Sequence, residues 1–402
     1  MSQPSYDTPR TEADWARVKA LVCTSFHMPE ELWPVYLDRM GAHTFRVWRD
    51  PALAGEGPDG QAAGIVACLL ADRSGQWWGG RAVPMGGVAV VATAPEHRGT
   101  GRAAGMLTAM LREYHADGVA LSTLYPATEK PYQKVGYEAA GLHLEWKADV
   151  HRVGPAEGAL PVTAVPTDDD APFRAVRARG RVHNGGLDRN RGAWRRILRP
   201  RGATTFGYLF GDPAAPTGYS VLRHTDGEGA RYDLDVQDHL ALDAATARRI
   251  WAFYADHRSI VGKVAFVGAP HDPMVAVLPD QVAKMDDHIA WMARIVHLPL
   301  AMERRGWPRG ITSSLHLRVE DPLLPENAGG WRLDVAGGEG RVEREEAEGA
   351  LRVHVRGLAS LYTGYRDPWA LRAAGLLEGE ESVMELAASL FAGPMPYMTD
   401  YF

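Results

Sequence analysis

The residues best suited to chemistry cluster in VAVVATAPEHRGTGRAAGML, positions 88–107. A run with strand spacing ends at Pro95, and Arg98-Gly99-Thr100-Gly101-Arg102-Ala103-Ala104 then leads into an amphipathic segment. Glycines at such a bend let the backbone approach a ligand with no Cβ in the way. The free N–H groups of the bend and of the first helical turn, at the positive end of the helix dipole, suit a diphosphate. Arg98 and Arg102 add charge-assisted hydrogen bonds to the same anion. Three readings stay open at this level: a dinucleotide, another diphosphate-bearing carrier, or an ordinary turn. Gly99-x-Gly101-x-x-Ala104 fits the dinucleotide fingerprint. That fingerprint requires the bend to follow the first strand of a βαβ unit, with an acid about 20 residues on. Several strands precede the bend here, and the corresponding ALSTLYP carries no acid.

A second group, Tyr132-Gln-Lys-Val-Gly136-Tyr137, follows the next strand. On its own, a tyrosine five residues before an aromatic is ordinary core packing. Together the two groups point one way. Arg98-x-x-Gly101-x-Ala103 resembles the coenzyme A loop of the GNAT acetyltransferases, Q/R-x-x-G-x-G/A, and the tyrosine segment resembles their Y-x-x-x-G-F/Y signature. Acetyl transfer to a primary amine needs few groups. The amine, with a pKa near ~10.4, must lose a proton before it attacks the thioester. Backbone N–H groups at Val91, Ala92 and Thr93 would orient the acetyl group and polarise its oxygen. The leaving thiolate, near ~8.5, needs a proton donor, and a tyrosine at ~10 within hydrogen-bond reach suits it. Tyr132 is the expected acid. No Glu or His of the first segment stands out as a base.

The elements that must position these groups follow from periodicity. Trp15, Val18, Leu21 and Val22 predict a first helix. HTFRVWRD, AAGIVACLLADR and VPMGGVAVVATAP predict strands of a meandering sheet. Ala103, Leu107, Met110, Leu111 and Tyr114 give one apolar stripe from Arg102 to about His115, and GVALSTLYP reads as a buried strand. The expectation is an α+β sandwich with one buried helix. A Gly- and Pro-rich stretch at 151–172 predicts a linker. Beyond it the layout repeats, with a helix capped by Asp243 that places Ala247, Ile250, Trp251 and Tyr254 on one face. No glycine bend precedes that helix, so the second copy is expected to be catalytically silent. In the third segment IVHLPLAMERRGWP, LASLYTG and ESVMELAASLFAG predict helices among short alternating strands. The tail PMPYMTDYF is apolar and aromatic, unlike a frayed terminus.

Composition narrows the class. The 402 residues exceed one ordinary core, and 46% apolar residues with 12 Trp mark a well-packed chain. A net charge of −6 offers no general attraction to nucleic acid or anionic membranes. Cys23 and Cys68, both in apolar surroundings, predict buried thiols in a reducing compartment. The N-terminal segment shows no signal-peptide pattern, and no apolar run reaches the ~18 residues of a membrane span, so a cytoplasmic protein is expected. Ten arginines between Arg174 and Arg201 (Arg181 and Arg189 among them) allow a nucleic-acid patch, but a solvated face or subunit contact fits an acidic chain better. No histidine or cysteine spacing matches a metal site, so no metal is expected.

Over its whole length the chain resembles the Eis-type aminoglycoside and lysine N-acetyltransferases of actinobacteria, on APEHRG, the YxxxGY segment and the aromatic tail ending in Phe. The resemblance implies an active GNAT domain at 1–150, a degenerate GNAT-like domain at 151–288, and a sterol-carrier-protein-like domain at 289–402 whose tail enters the active site. It implies acetyl-CoA as co-substrate and contacts from Val91, Ala92, Thr93, Arg98–Ala104, Ala127 and Thr128. It makes the α-carboxylate of Phe402 the general base and Tyr132 the acid. It also implies a homohexamer, a dimer of trimers. The amine pocket would involve Phe26, Trp33, Asp400 and Tyr401. Met28 and Tyr401 stand where the family often has acids, with Glu30, Glu31 and Asp400 as substitutes, so multiply cationic aminoglycosides fit less well than simpler primary amines. The rival class is a non-catalytic lipid- or nucleic-acid-binding protein.

Overall fold

The computed structural model describes residues 3–53, 64–154, 160–180, 182–269, 271–347 and 349–401. Contacts divide the chain into two compact units. One holds the residues up to Ala140 with Trp291–Gly393, the other Gly141–Ala290 with Pro394–Tyr401.

The first unit opens with β1 (Ser5–Asp7), α1 (Glu12–Ser25), α2 (Trp33–Met40), β2 (Phe45–Arg49), β3 (Ile65–Trp78) and β4 (Arg81–Thr93). Then come α3 (Arg102–Ala116), β5 (Leu121–Leu124), α4 (Lys130–Gln133) and the start of β6 (Glu138–Asp149). Thr11 starts α1 through a capping box, its hydroxyl accepting from Asp14 N–H while the Asp14 carboxylate accepts from Thr11 N–H. β1 to β4 pair antiparallel in order, and β4 and β5 pair parallel across α3. Four of the five residues of the predicted α3 stripe are buried, Leu107, Met110, Leu111 and Tyr114 packing with Ala67, Leu69, Ala71 and Val88, while Ala103 is half-buried.

The second unit contains β7 (Val162–Val165), α5 (Ala171–Arg177), β8 (Leu187–Asp188), α6 (Arg191–Leu198), β9 (Phe206–Phe210) and β10 (Gly218–Asp226). β11 (Tyr232–Ala241), α7 (Ala244–Ala255), β12 (Val261–Val267), α8 (Pro273–Ala276) and β13 (Ala283–Ile295) follow. Its layout repeats that of the first, with β11 and β12 parallel across a helix. Asp243 caps α7 by accepting from Thr246 N–H, and Ala247, Ile250, Trp251 and Tyr254 are buried as their spacing predicts.

The closing strands are exchanged in sequence. Met292–Ile295 of β13 pairs antiparallel with β5 in the first unit, and Glu145–Asp149 of β6 pairs with β12 in the second. The second half of β6 alternates apolar and polar residues from Leu142 to Asp149, with burial alternating from Leu144, so the strand is legible but its partner is not, and β13 follows from no local pattern. In β13 the charged half, KMDDH, is exposed and only Trp291–Ile295 is buried, so neither alternation nor a long apolar run is visible. The stretch expected to be a linker holds β7, and the helix expected from Ile295 starts at Leu298, because Val296 N–H bonds to Ala120 carbonyl beside β5.

The remainder of the first unit comprises α9 (Leu298–Arg304), β14 (Ser313–Glu320), β15 (Gly329–Ala336), β16 (Glu339–Arg344) and β17 (Leu351–His354). It ends with α10 (Val355–Thr363), α11 (Pro368–Ala373), β18 (Leu377–Glu378) and α12 (Glu381–Phe391). Its strands run in the order β16-β15-β14-β17-β18, with Leu358, Leu361, Met384 and Leu390 buried on α10 and α12. Cys23 and Cys68 are buried free thiols, and burial pushes the Cys68 thiol up to about 12. Among the described residues no helix is long and apolar enough to cross a membrane.

Candidate active site

The bend before α3 is built for an anion. Gly99 and Gly101 have φ of 75° and 83°, which glycine adopts at little cost. A Cβ on either would meet nothing within 4 Å, so the angle and not crowding demands glycine, and the space outside the bend is open. Gly101 caps α3 with no side-chain acceptor for the first turn. The first bond of the helix runs from Gly105 N–H to Gly101 carbonyl at 2.9 Å. The N–H groups of Gly99, Thr100, Gly101, Arg102, Ala103 and Ala104 therefore lack an acceptor among the described residues. Thr100 steadies the bend by donating to His97 carbonyl at 2.6 Å, and Arg98, exposed, donates through Nε to Thr93 carbonyl at 3.2 Å. Arg102 departs from expectation. It pairs with Asp50 at 2.7 Å and donates to Thr100 Oγ1 at 2.7 Å, so two of its nitrogens already brace the bend, while its Nε has no partner among the described residues. The same bond holds the Asp50 carboxyl below its ordinary value.

β4 supplies the second half of the site. Opposite β3 its register jumps from Cys68↔Ala92 to Leu70↔Ala89, one extra residue, and Val90 sits at φ 55°. That angle is rare for a β-branched residue and marks a bulge that bends the strand. β5 ends at Leu124 opposite Val88, so Ala89–Thr93 runs on past its parallel neighbour. The pair opens at that end. Val91, Ala104 and Tyr132 all pack on the cluster containing Met106 and Leu107, so one core brings strand, helix and tyrosine together. Ala127 and Thr128 lie exposed on the loop from β5 to α4.

Tyr132 stands in α4 with its ring edge-on to Tyr137 at 6.1 Å. Burial raises its pKa, which keeps the hydroxyl protonated at neutral pH. Gly136 follows at φ 92°, and a Cβ there would lie 2.5 Å from Arg294 Nε. Arg294, wholly buried on β13, donates Nε to Val135 carbonyl at 3.0 Å and pairs with Asp321 at 2.7 and 2.8 Å. The glycine of the YxxxGY segment thus admits the guanidinium that holds the segment in place. Nothing local in WMARI or VEDP announced this role.

The expected amine-side residues fall in different units, Phe26 and Trp33 in the first and Asp400 and Tyr401 in the second. Phe26 is half exposed at the end of α1. Trp33 is 7% exposed and packs edge-on to Phe45 at 5.9 Å, a core residue and not a pocket wall. Met28 packs on the same core. Glu30 is paired with Lys19 at 2.6 Å. In the second unit Asp400 is buried against Arg189 at 2.8 Å, and Arg189 also pairs with Asp238 at 2.5 Å over the Trp194 ring. Asp400 therefore anchors the tail and is not a carboxylate awaiting a substrate. The tail is docked through more bonds: Leu142 N–H to Pro396 carbonyl at 3.1 Å, Met398 N–H to Leu142 carbonyl at 3.0 Å, and Tyr397 hydroxyl to Asp272 at 3.2 Å. Tyr401 is 59% exposed and edge-on to His143. Phe402, the expected base, lies outside the described residues, as does Arg181 of the arginine run. Arg189 of that run is buried in the clasp, so the run is not one solvated face.

Comparison with known proteins fits this geometry. Residues 8–140 and 185–295 each match a GNAT acetyltransferase domain family, and residues 298–399 match a sterol carrier protein domain. The chain is 26% identical to the N-acetyltransferase Eis of Mycobacterium tuberculosis, over 97% of this chain and 98% of that one. It is 31% identical to a GCN5-related N-acetyltransferase from Anabaena variabilis, with all of both chains covered and a TM-score of 0.91. A GCN5-related N-acetyltransferase from Kribbella flavida superposes at a TM-score of 0.85 with 29% identity, covering 100% of this chain and 98% of that one.

Proposed function

The chain belongs to the Eis-type GCN5-related N-acetyltransferases with a sterol-carrier-like C-terminal domain, and from that premise we propose that it transfers acetyl from acetyl-CoA to a primary amine of a cationic small molecule, by direct attack in a ternary complex. The observation that carries this reading is the run of acceptor-free N–H groups from Gly99 to Ala104 at the head of α3, beside the open end of β4 and β5. The diphosphate lies on the bend, with Arg98 over it. The acetyl group lies along Val91–Thr93, where backbone N–H groups polarise its oxygen. The amine attacks the carbonyl carbon, the C–S bond breaks, and Tyr132 gives its proton to the departing sulfur. The α-carboxylate of Phe402 takes the proton of the amine.

The substrate is a lysine-like amine before it is a polyamine or an aminoglycoside, both of which carry several positive charges. Two of the acids that would answer extra positive charge are already paired, Glu30 with Lys19 and Asp400 with Arg189. Two buried free thiols fit a cytoplasmic setting, and the family resemblance supports a homohexamer. The test is thiol release from acetyl-CoA with lysine derivatives, polyamines and aminoglycosides. Turnover with the simpler amines is expected, and no turnover with any of them overturns the reading.

A further inference from the structure

The second unit keeps the open strand pair and loses the diphosphate handle. Against β10 the register of β11 jumps from Val221↔Asp238 to Leu222↔Val236, an extra residue at the place equivalent to the β4 bulge. β12 ends at Val267, its last paired residue opposite Val236 being Phe266, and β11 runs on to Ala241. At the helix that follows, the Asp243 carboxylate occupies the place of the glycine bend and already caps Thr246 N–H. Its negative charge excludes a diphosphate there.

A cavity of about 430 Å³ nevertheless lies in this opening, a volume ordinary for a small-ligand site. Its wall is unevenly satisfied. Both carboxylates on it are committed: Asp238 to Arg189 and Tyr219, and Asp272 to Met274 N–H and Tyr397 hydroxyl. Of the cations, Arg179 donates to Pro216 carbonyl. Arg177 has a buried Nη2 with no partner among the described residues, as have His183 at Nε2 and His239 at both ring nitrogens. Burial holds both imidazoles below their ordinary pKa, so each is neutral at pH 7 and carries one N–H. His271, also on the wall, stands edge-on to the Tyr397 ring. The unmet groups are thus one guanidinium N–H, on an arginine whose charge already bears on Asp238, and neutral imidazole nitrogens, beside apolar surface from Val236, Val267 and Met274. Buried polar groups left unpaired are costly.

We propose that this cavity is a binding site for a small monocarboxylate with an apolar body, its carboxylate answered by Arg177 with His183 and His239 as neutral partners. Tyr397 and Thr399 of the docked tail form part of the wall, so the ligand also buttresses the tail.

The test is calorimetric titration of the full chain with sodium hexanoate at pH 7, in saturating acetyl-CoA to fill the acyl site of the first unit, with hexanamide as the uncharged control. Saturable hexanoate binding is expected, with hexanamide and Arg177→Met each about tenfold weaker or worse, the loss of one charge-assisted pair. Because Arg177→Met can fail to fold, His239→Phe provides a second locus, and weakened binding there at an unchanged melting temperature also supports the site. No saturable heat with hexanoate shows a water-filled cavity only and overturns the proposal. Equal affinity for hexanamide overturns the anion reading, and undiminished binding in the folded variants overturns the location.

Discussion

Replacing Tyr132 with Phe removes one oxygen from a residue whose surroundings make the consequence calculable. The ring packs on Tyr137 and the α3 core, and both contacts survive in Phe. The hydroxyl has no hydrogen-bond partner among the described residues, so its loss strands no buried partner, and the change in stability falls within about 0.5 kcal/mol. The cradle at Gly99–Ala104 is untouched, so the affinity for coenzyme A stays within about twofold. What changes is the fate of the leaving thiolate. Without a positioned acid, kcat for acetyl transfer falls by about 10²–10⁴, or roughly 3–5 kcal/mol of transition-state stabilisation. The sign of the pH effect follows from burial, which raises the tyrosine pKa. In the native enzyme the acid form persists through neutral pH, and activity declines only as pH rises through that raised value; the variant lacks this alkaline limb. The assay is thiol release at saturating amine across pH 6–11, with coenzyme A affinity from calorimetry. A kcat within threefold of native, or a loss of coenzyme A affinity as large as the loss of kcat, refutes the assignment.

The two glycines nearest the chemistry separate cleanly. Gly101→Ala meets nothing within 4 Å, so it costs about 1 kcal/mol of backbone strain while weakening coenzyme A binding in calorimetry. Gly136→Ala drives a Cβ to 2.5 Å from Arg294 Nε and lowers the melting temperature far more. Asp321→Ala leaves the wholly buried Arg294 charge unpaired and destabilises the first unit by about 3–5 kcal/mol in denaturant titration. Arg189→Met strands Asp238 and Asp400, and faster amide exchange at Tyr397–Asp400 is the expected reading. Burial alone would raise the Asp238 carboxyl, but the Arg189 charge overrides it and holds the group at about 2. The stability this contributes is complete above the unfolded value near ~3.9 and disappears as pH falls toward 2. Acid titration of the native protein should show that loss and Arg189→Met should not.

The bend at Gly99–Ala104, the α3 stripe, the Asp243 cap and the tyrosine segment were legible from sequence because each is a local device. A positive φ asks for glycine, a helix asks for apolar spacing near 3.6, and a cap asks for a short acceptor, all within a few residues. The residues 88–107 and 132–137 thus carried the resemblance to the GNAT acetyltransferases, while their local pattern alone left a dinucleotide, another diphosphate carrier and an ordinary turn open. The bulge at Val90 was not legible, since VAVVAT reads as an unbroken strand and the extra residue exists only relative to β3. Nor was the exchange of β6 and β13, because pairing across more than 100 residues leaves no periodic mark. Arg294 and Arg189 looked like ordinary arginines, and only tertiary structure showed them as buried clasps for the tyrosine segment and the tail. It likewise showed Trp33 in a core and Asp400 in an ion pair, where the resemblance implied an amine pocket, and a side chain so committed has spent its interaction energy before a ligand arrives. Chain-local geometry is written residue by residue, whereas the partner of a charge is decided by whatever distant element the fold brings beside it.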